Sequence, residues 1–425
     1  MTPAKWPEVS LGKVCTLVRG VTFDASQVSR TPASGMVPVL RAGNISDSLN
    51  TVTDLVWVPQ AIVGKDQRLR LNDIVMCLSS GSSNVVGKSA RLEHPFDGTA
   101  GAFCGILRPH SVEDSLWLAY WLQSPAFAQW RSRMARGSNI QNLRVTEIAR
   151  LQVPYPSVET RQAVLGRTRE AMDHAKAALA GMEAQWRAAN ALAAAILTEA
   201  FRDNTPIRAQ ANVVSPAPGW QWKAITDVAR LESGHTPSRR HPEWWGGDVP
   251  WIALPDIRAL DGKLSFNTAE YTNKLGIANS SARVLPTHTV VMSRTASVGF
   301  VTLMGRPMAT SQDFVNWVCG PELDPFFLAY ALRASREYIR GLASGAVHKT
   351  IYMPTLHSLQ VCMPPIQDQR RIVSELDAKL AEADRLRSAL MARRVQVEKL
   401  PSAILRNAFT PATSMPEILP ELAHA

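Results

Sequence analysis

The 425-residue chain is poor in cysteine, histidine and long apolar runs, and each scarcity closes off a class of chemistry. Its five cysteines, Cys15, Cys77, Cys104, Cys319 and Cys362, show no C-x-x-C spacing. That argues against a disulfide framework and a structural zinc, and leaves them as small core residues. The nine histidines are dispersed, with no H-E-x-x-H among them. The longest apolar run, around Ala188 to Leu197, is alanine-rich and too short to span a bilayer. No basic stretch leading into an apolar one opens the chain, so a cytoplasmic protein with no membrane partner is expected. Asn44-Ile45-Ser46 then carries no glycosylation meaning. There is no P-loop for a motor. A self-sufficient adenine methyltransferase needs a glycine-rich cofactor loop and an acidic or amide residue before Pro-Pro-aromatic; the nearest approach, Gln152-Val153-Pro154-Tyr155, is wrong. Ser10-Leu11-Gly12-Lys13 has the S-x-x-K spacing without the partner motifs of a serine acyltransferase. The chain reads as non-catalytic, holding no metal or cofactor of its own.

What is present is repetition. Short strings recur in the same order about 208 to 216 residues later, which marks two copies of one structural unit. Val37-Pro38-Val39 returns as Val249-Pro250-Trp251, Ile74-Val75-Met76 as Val290-Val291-Met292, and Leu118-Ala119-Tyr120 as Leu328-Ala329-Tyr330. Gly137 returns as Gly345 and Leu151-Gln152-Val153 as Leu359-Gln360-Val361. From Pro156 and Pro364 onward the register is fixed, so that Arg161-Gln162 falls on Gln369-Arg370 and Ile196-Leu197 on Ile404-Leu405. Surface loops tolerate insertions, whereas a rigid helix must keep its length to keep its contacts.

Charge follows the repeats. Residues 1–155 hold 16 Lys and Arg against 11 Asp and Glu, and residues 206–363 hold 15 against 11, so nine of the ten net positive charges lie there. A basic excess on both units suits a polyanion. In each unit short apolar strands (Val37–Leu40, Asp73–Leu78, Phe103–Leu107; Val249–Leu254, Thr289–Ser293, Phe314–Val318) precede a helix, Leu116–Gln123 or Pro325–Tyr338. That order predicts an α+β fold class. A long helix follows each unit. Pro154 and Pro156 precede one and Pro364-Pro365 the other, with Glu159 and Asp368 at the positive helix end. Each is expected to run about 43 residues, roughly 64 Å, with no break before Pro401. The second carries a seven-residue string, Leu376, Ala383, Leu390, Val397 and Ile404, supported by Ile372, Leu386 and Leu400. The first matches it with Ala175, Met182, Ala189 and Ile196, flanked by Leu179 and Trp186. Period seven with small residues on one partner predicts antiparallel packing of the two helices. The expected organisation is a first globular domain at 1–155, a helix at 156–203, a linker at 204–219, a second domain at 220–363, a second helix at 364–410 and a loose tail at 411–425.

These features together resemble the specificity subunit of type I restriction-modification enzymes. The resemblance rests on Pro364-Pro365-Ile366-Gln367-Asp368-Gln369-Arg370, Ser233-Gly234-His235-Thr236-Pro237, Trp251-Ile252 with Asp256-Ile257, Val290-Val291-Met292-Ser293-Arg294 and Gly345-Ala346-Val347-His348-Lys349-Thr350-Ile351. First-half counterparts are Arg19-Gly20-Val21-Thr22, Val39-Leu40 with Asn44-Ile45, and Gly137-Ser138-Asn139-Ile140-Gln141-Asn142. It covers nearly the whole chain, and its order and duplication carry it. The first half departs from the pattern: Pro156-Ser157-Val158-Glu159-Thr160-Arg161-Gln162 lacks the double proline, and Trp244-Trp245 has no counterpart there. The resemblance implies two target-recognition domains joined by an antiparallel coiled-coil spacer, reading a split asymmetric site on double-stranded DNA. It also implies two methyltransferase subunits as partners, with restriction and translocase subunits in the full complex. S-adenosylmethionine would then belong to the methyltransferase subunits, and ATP and Mg to the restriction subunits.

Base edges call for Arg, Lys, Asn, Gln and short hydroxyl side chains on exposed loops, with other basic residues on phosphates. Candidates in the first unit are Arg41, Asn44, Ser79, Ser80, Ser82, Ser83, Asn84, Ser138, Asn139, Gln141 and Asn142. Those in the second are His235, Thr236, Arg239, Arg240, Arg294, Thr295, Gln312, His348 and Lys349. Ser, Asn and Gly are also what turns are made of. Trp244 and Trp245 suit stacking on a base or packing in a hinge. An orphan DNA-binding regulator and a protein-only coiled-coil scaffold stand as alternatives, separable by whether a methyltransferase gene lies beside this one.

Overall fold

A computed structural model describes residues 6–82, 84–136, 142–202, 206–209, 215–345 and 349–410. The fold is α+β, in two compact units. One is built from the chain up to Glu183 together with the segment from Ala392 on, the other from Ala184 to Met391.

In the first unit a four-stranded antiparallel sheet runs Cys15–Arg19, Cys104–Pro109, Ile74–Cys77, Ser89–Arg91. Ile74–Cys77 is buried at every position, as an unbroken apolar run in a central strand requires. A second sheet places Met36–Leu40 between Val56–Pro59, antiparallel, and Thr99–Ala100, parallel. Helices Val112–Leu122 and Pro125–Arg136 cover the first sheet, with Trp117, Leu118 and Phe127 in its core. In the second unit the main sheet is Ala229–Ser233, Phe314–Cys319, Val290–Ser293, Val301–Met304, Leu264–Ser265. Trp245–Ile252 sits between Glu270–Thr272 and Ala309–Thr310 with the same antiparallel and parallel pairings. The predicted helix from Pro325 to Tyr338 is two helices, Pro325–Ala334 and Arg336–Gly341, parted at Ser335, whose hydroxyl accepts the Ile207 N–H at 3.2 Å. That bond reveals a second departure. The expected linker contains a strand, Ile207–Ala209, antiparallel to Leu359–Met363, with Ile207 fully buried in the core.

The first long helix spans Val158–Ala200, 43 residues. The second is interrupted: Ile366–Val397 ends in a two-residue turn before Leu400–Ala408. Pro401 has no N–H to return to Val397, so the break falls just ahead of it. Within the first unit the two helices run antiparallel. Glu183 meets Arg394 at 3.7 Å, while Val164 and Leu165 share a core with Ala408 and Phe409. Ala175, Met182, Ala189, Leu376 and Ala383 are buried as the heptad predicts, and Leu179, Trp186, Ile196, Ile372, Leu390, Val397, Leu400 and Ile404 are half-buried. Leu386 is the exception at 45% exposed, and Leu405 rather than Ile404 is the fully buried residue of the last turn. The 3.6-residue turn drifts against a strict period of seven, which moves these positions off the seam. Of the cysteines, Cys15, Cys77, Cys104 and Cys362 are buried and Cys319 partly so; burial pushes the Cys15 and Cys104 thiols up to about 12. Among the described residues no helix is long and apolar enough to cross a membrane.

Candidate nucleic-acid interface

Four segments converge at one end of the main sheet in the second unit. Strand Val290–Ser293 runs into a loop whose Arg294 N–H donates to the Asp313 carbonyl at 2.8 Å and whose Arg294 carbonyl accepts Ile351 N–H at 2.9 Å. The Arg294 guanidinium adds bonds to the carbonyls of Gln312 at 3.1 Å and Ile351 at 3.4 Å. Thr295 bridges to Thr350, and Ala296 N–H donates to the Lys349 carbonyl at 3.1 Å. The chain leaving Ala229–Ser233 enters from the other side: His235 N–H reaches the Thr310 carbonyl at 2.9 Å, and the Thr236 hydroxyl bonds the Gln312 amide. His235, Gln312 and Lys349 are exposed, while Thr236, Arg294 and Thr295 are half-buried. Arg294 is thus partly spent on organising the loops, whereas His235, Gln312 and Lys349 present side chains outward.

Arg239 and Arg240 continue the same loop with different fates. Arg239 is ion-paired with Glu270 and lies over the Trp245 ring at 3.8 Å, so its cation is already engaged. Arg240 is exposed and makes no ion pair among the described residues. Trp244 is stacked by His241 at 4.2 Å and Trp245 abuts Trp251 edge-on, so both tryptophans pack within the protein. His235, Thr236, Ser238, Trp244, Asn279 and Ser280 line an open, polar groove of about 620 Å³ beside this loop.

The first unit repeats the convergence. Leu143 N–H donates to the Leu78 carbonyl at 2.7 Å, Ser79 bridges to Asn142, and Leu78 and Ser79 both donate to the Phe103 carbonyl. Val21 N–H meets the Ala100 carbonyl at 2.7 Å, as His235 meets Thr310. Ser79, Ser80, Ser82, Asn84 and Asn142 are gathered on these loops, with Ser82 and Asn84 exposed. Arg41 and Asn44 occupy a different loop, after Met36–Leu40. Arg41 is exposed and donates to the Asp54 carbonyl at 2.9 Å. Asn44 is buried with its amide spent on Arg41 N–H and the Thr53 carbonyl, so it builds that loop instead of offering a surface. Ser83, Ser138, Asn139, Gln141 and His348 lie outside the described residues.

Sequence reasoning did not single out the arginines behind these loops, Arg131 in the first unit and Arg336 and Arg340 in the second. The Val-Gly pairs they hold, Val86-Gly87 and Val298-Gly299, are a further string that recurs between the two halves. Among the described residues no group of three or more His, Cys, Asp or Glu side chains could hold a metal ion.

Comparison with known proteins agrees with this architecture. Residues 218–389 match the type I restriction modification DNA specificity domain. The StySPI specificity subunit of Salmonella potsdam is 24% identical over 435 residues, 96% of this chain and 89% of that protein. The EcoKI specificity subunit of Escherichia coli K12 is 35% identical over 162 residues, 38% of this chain and 35% of that protein. In fold, the chain superposes with a TM-score of 0.74 and 17% identity on a chain from a type I R-M system described for its complex assembly and conformational transition, covering 96% of this chain and 98% of that one. The HsdS subunit from Thermoanaerobacter tengcongensis gives 0.58 at 16%, covering 96% and 97%. The second unit thus matches the DNA specificity domain of type I restriction-modification enzymes, and nearly the whole chain is similar to type I specificity subunits in sequence and in fold.

Proposed function

We propose that each unit reads one half of a split, asymmetric double-stranded DNA site with its converged loops, and that the long helices dock two methyltransferase subunits, to which restriction and translocase subunits add. S-adenosylmethionine, ATP and Mg would be carried by those partners. The observation that supports this most directly is that one chain builds the same loop convergence twice and dresses it with different side chains. Ser79, Ser80, Ser82, Asn84 and Asn142 are gathered at the convergence in one unit, and His235, Gln312, Arg294 and Lys349 at the convergence in the other. A hydroxyl- and amide-rich loop and a cationic one select different base edges, since Arg and Lys favour guanine and Asn and Gln adenine in the major groove. Ser83, Ser138, Asn139, Gln141 and His348 are assigned to the same surfaces on sequence grounds alone.

A base-resolution map of N6-methyladenine tests this in cells expressing the chain with its methyltransferase subunit, against cells lacking only the chain. A split motif with a constant gap is the expected result. Chain-independent methylation, with the partner expressed and folded, would favour the orphan regulator or the scaffold. Replacement of Lys349 or Arg240 by Ala should weaken binding across sequences and reduce the salt slope by about one if each neutralises one phosphate.

A further inference from the structure

The two DNA-facing loops close at their base in the same way. In the first unit Gly87 N–H donates to the Cys77 carbonyl at 2.8 Å and Cys77 N–H to the Lys88 carbonyl at 2.8 Å. In the second, Gly299 N–H donates to the Ser293 carbonyl at 2.9 Å and Ser293 N–H to the Phe300 carbonyl at 3.0 Å. Gly87 and Gly299 have φ of 82° and 85°, the left-handed region that only glycine enters freely. Between these closures the tips differ, with nine residues (78–86) in one unit and five (294–298) in the other.

Each closure carries an arginine from a helix far along the chain. Arg131, in Pro125–Arg136, donates through Nη1 to the Val86 carbonyl at 3.1 Å. Arg340, in Arg336–Gly341, donates through Nε to the Val298 carbonyl at 3.3 Å. The arginine stems lie over the glycines, where a Cβ on Gly87 would come within 2.7 Å of Arg131 Cδ, and one on Gly299 within 3.3 Å of Arg336 Cγ. The second unit adds Arg336, which donates to the Gly299 carbonyl at 2.8 Å while its Nη2 is held by both oxygens of Asp261. Neither Val86 nor Val298 is exposed, so the arginines hold each loop at its buried base.

We propose that Arg131 and Arg340 are equivalent positioning residues, each fixing the base-reading loop of its own unit through the carbonyl ahead of a left-handed glycine, and each setting the fidelity of one half-site. The proposal rests on the reading that each unit recognises one half-site. A loop with the right side chains but a loose base samples geometries that accept the wrong base. Since a mismatched base pair ordinarily costs about 1–3 kcal/mol, partial loss of loop order should relax discrimination roughly tenfold. Arg336 backs Arg340, so the relaxation should be larger for Arg131→Met than for Arg340→Met. Methionine keeps an apolar stem over the glycine and removes the donors.

The test uses the full chain with its methyltransferase subunit, mapping methylated sites for wild type, Arg131→Met, Arg340→Met and Arg131→Lys. If wild type gives no split motif, the half-site reading fails before the variants are considered. Given a split motif, the expected result is relaxed sequence preference at one half-site for Arg131→Met and at the other for Arg340→Met. The unaffected half-site keeps its sequence, and Arg131→Lys recovers part of the lost preference. Should Arg131→Met yield too little folded chain, a one-sided relaxation in Arg131→Lys carries the same expectation. Equal relaxation at both half-sites, or unchanged preference alongside a lowered melting temperature, would overturn the proposal.

Discussion

Beneath the two long helices, the two units place different chemistry in one socket. Arg161 stands five residues after Pro156 and donates through Nη1 to its carbonyl at 2.8 Å; Gln369 stands five residues after Pro364 and donates through Nε2 to its carbonyl, also at 2.8 Å. Both are buried, at 5% and 0% exposure. Arg161 then meets the Asp114 carboxylate at 3.4 Å and lies over the Tyr155 ring at 3.8 Å, whereas Gln369 accepts Asp324 N–H at 2.9 Å and donates to the Glu322 carbonyl at 3.0 Å. The difference traces to a helix cap. In the second unit Asp324 caps Pro325–Ala334 by accepting the Phe326 and Phe327 N–H groups. In the first, Ser111 caps Val112–Leu122 by accepting Asp114 N–H at 3.0 Å, which leaves the Asp114 carboxylate free to face a cation. Duplication has therefore preserved the geometry of the socket and not its charge.

The strongest way to break this comparison is to remove one charge. Asp114→Ala leaves Arg161 buried beside a carbonyl and an aromatic face, and should destabilise the first unit by about 3–5 kcal/mol, the usual cost of orphaning a buried ion-pair partner. Gln369→Ala, which loses only neutral hydrogen bonds, should cost the second unit about 1–3 kcal/mol. Urea denaturation of the two variants compares them, and equal losses would mean that the charge is irrelevant. A third substitution probes a feature the units share. Gly20 and Gly234 sit where a Cβ would come within 2.1 Å of the Gly101 carbonyl oxygen and 2.0 Å of the Ser311 carbonyl oxygen. Gly20→Ala and Gly234→Ala should each cost about 1–3 kcal/mol by overpacking, with equal effects on the two units. A smaller effect sharpens the charge argument: the double replacement Arg161→Gln with Asp114→Asn imports the second unit's solution and should cost about 1 kcal/mol or less, since swapping a whole buried pair is often neutral.

How far the sequence reaches depends on the range of the interactions. The long helices were legible because their signals are local: a proline before the first turn, then Ala175, Met182 and Ala189 facing inward at period seven, as Leu376 and Ala383 do. The central strands were legible as apolar runs. Leu386 was misplaced because a period says which face is apolar, not where the drifting seam stops being covered. Ile207–Ala209 went unread because three residues amid prolines give no periodicity, and only the edge of Leu359–Met363 makes them a strand. For the candidate interface, the loops bearing His235, Arg294 and Lys349 were nominated from composition and repetition. Their convergence was not, because it is made by backbone bonds between distant segments. Arg131 and Arg340 lie 45 and 42 residues from the carbonyls they hold, a separation no local pattern spans.

Each unit also holds a tyrosine–aspartate bond close to the start of its long helix or on it, and alkaline titration should tell the two apart. Tyr155 donates to Asp114 at 2.7 Å beneath Val158–Ala200, and Tyr330 donates to Asp377 on Ile366–Val397. Burial, then the hydrogen bond and charge of Asp114, push the Tyr155 phenol up to about 12, and burial with Asp377 pushes Tyr330 up as well. A phenol raised above its unfolded value of about 10 contributes stability that is complete below that pH. For Tyr155 this contribution is lost as pH climbs from about 10 through about 12. Phenolate absorbance should therefore show a late fraction. Tyr120 is raised by burial as well and belongs to the same fraction. Asp114→Asn removes the charge that faces Tyr155 and leaves Tyr330 with Asp377, so it should move only part of that fraction to lower pH, while Asp377→Asn should move a different part. If either substitution alone shifts the whole late fraction, the two anchors do not act separately. The charged socket of the first unit would then extend its influence beyond Arg161 and Tyr155.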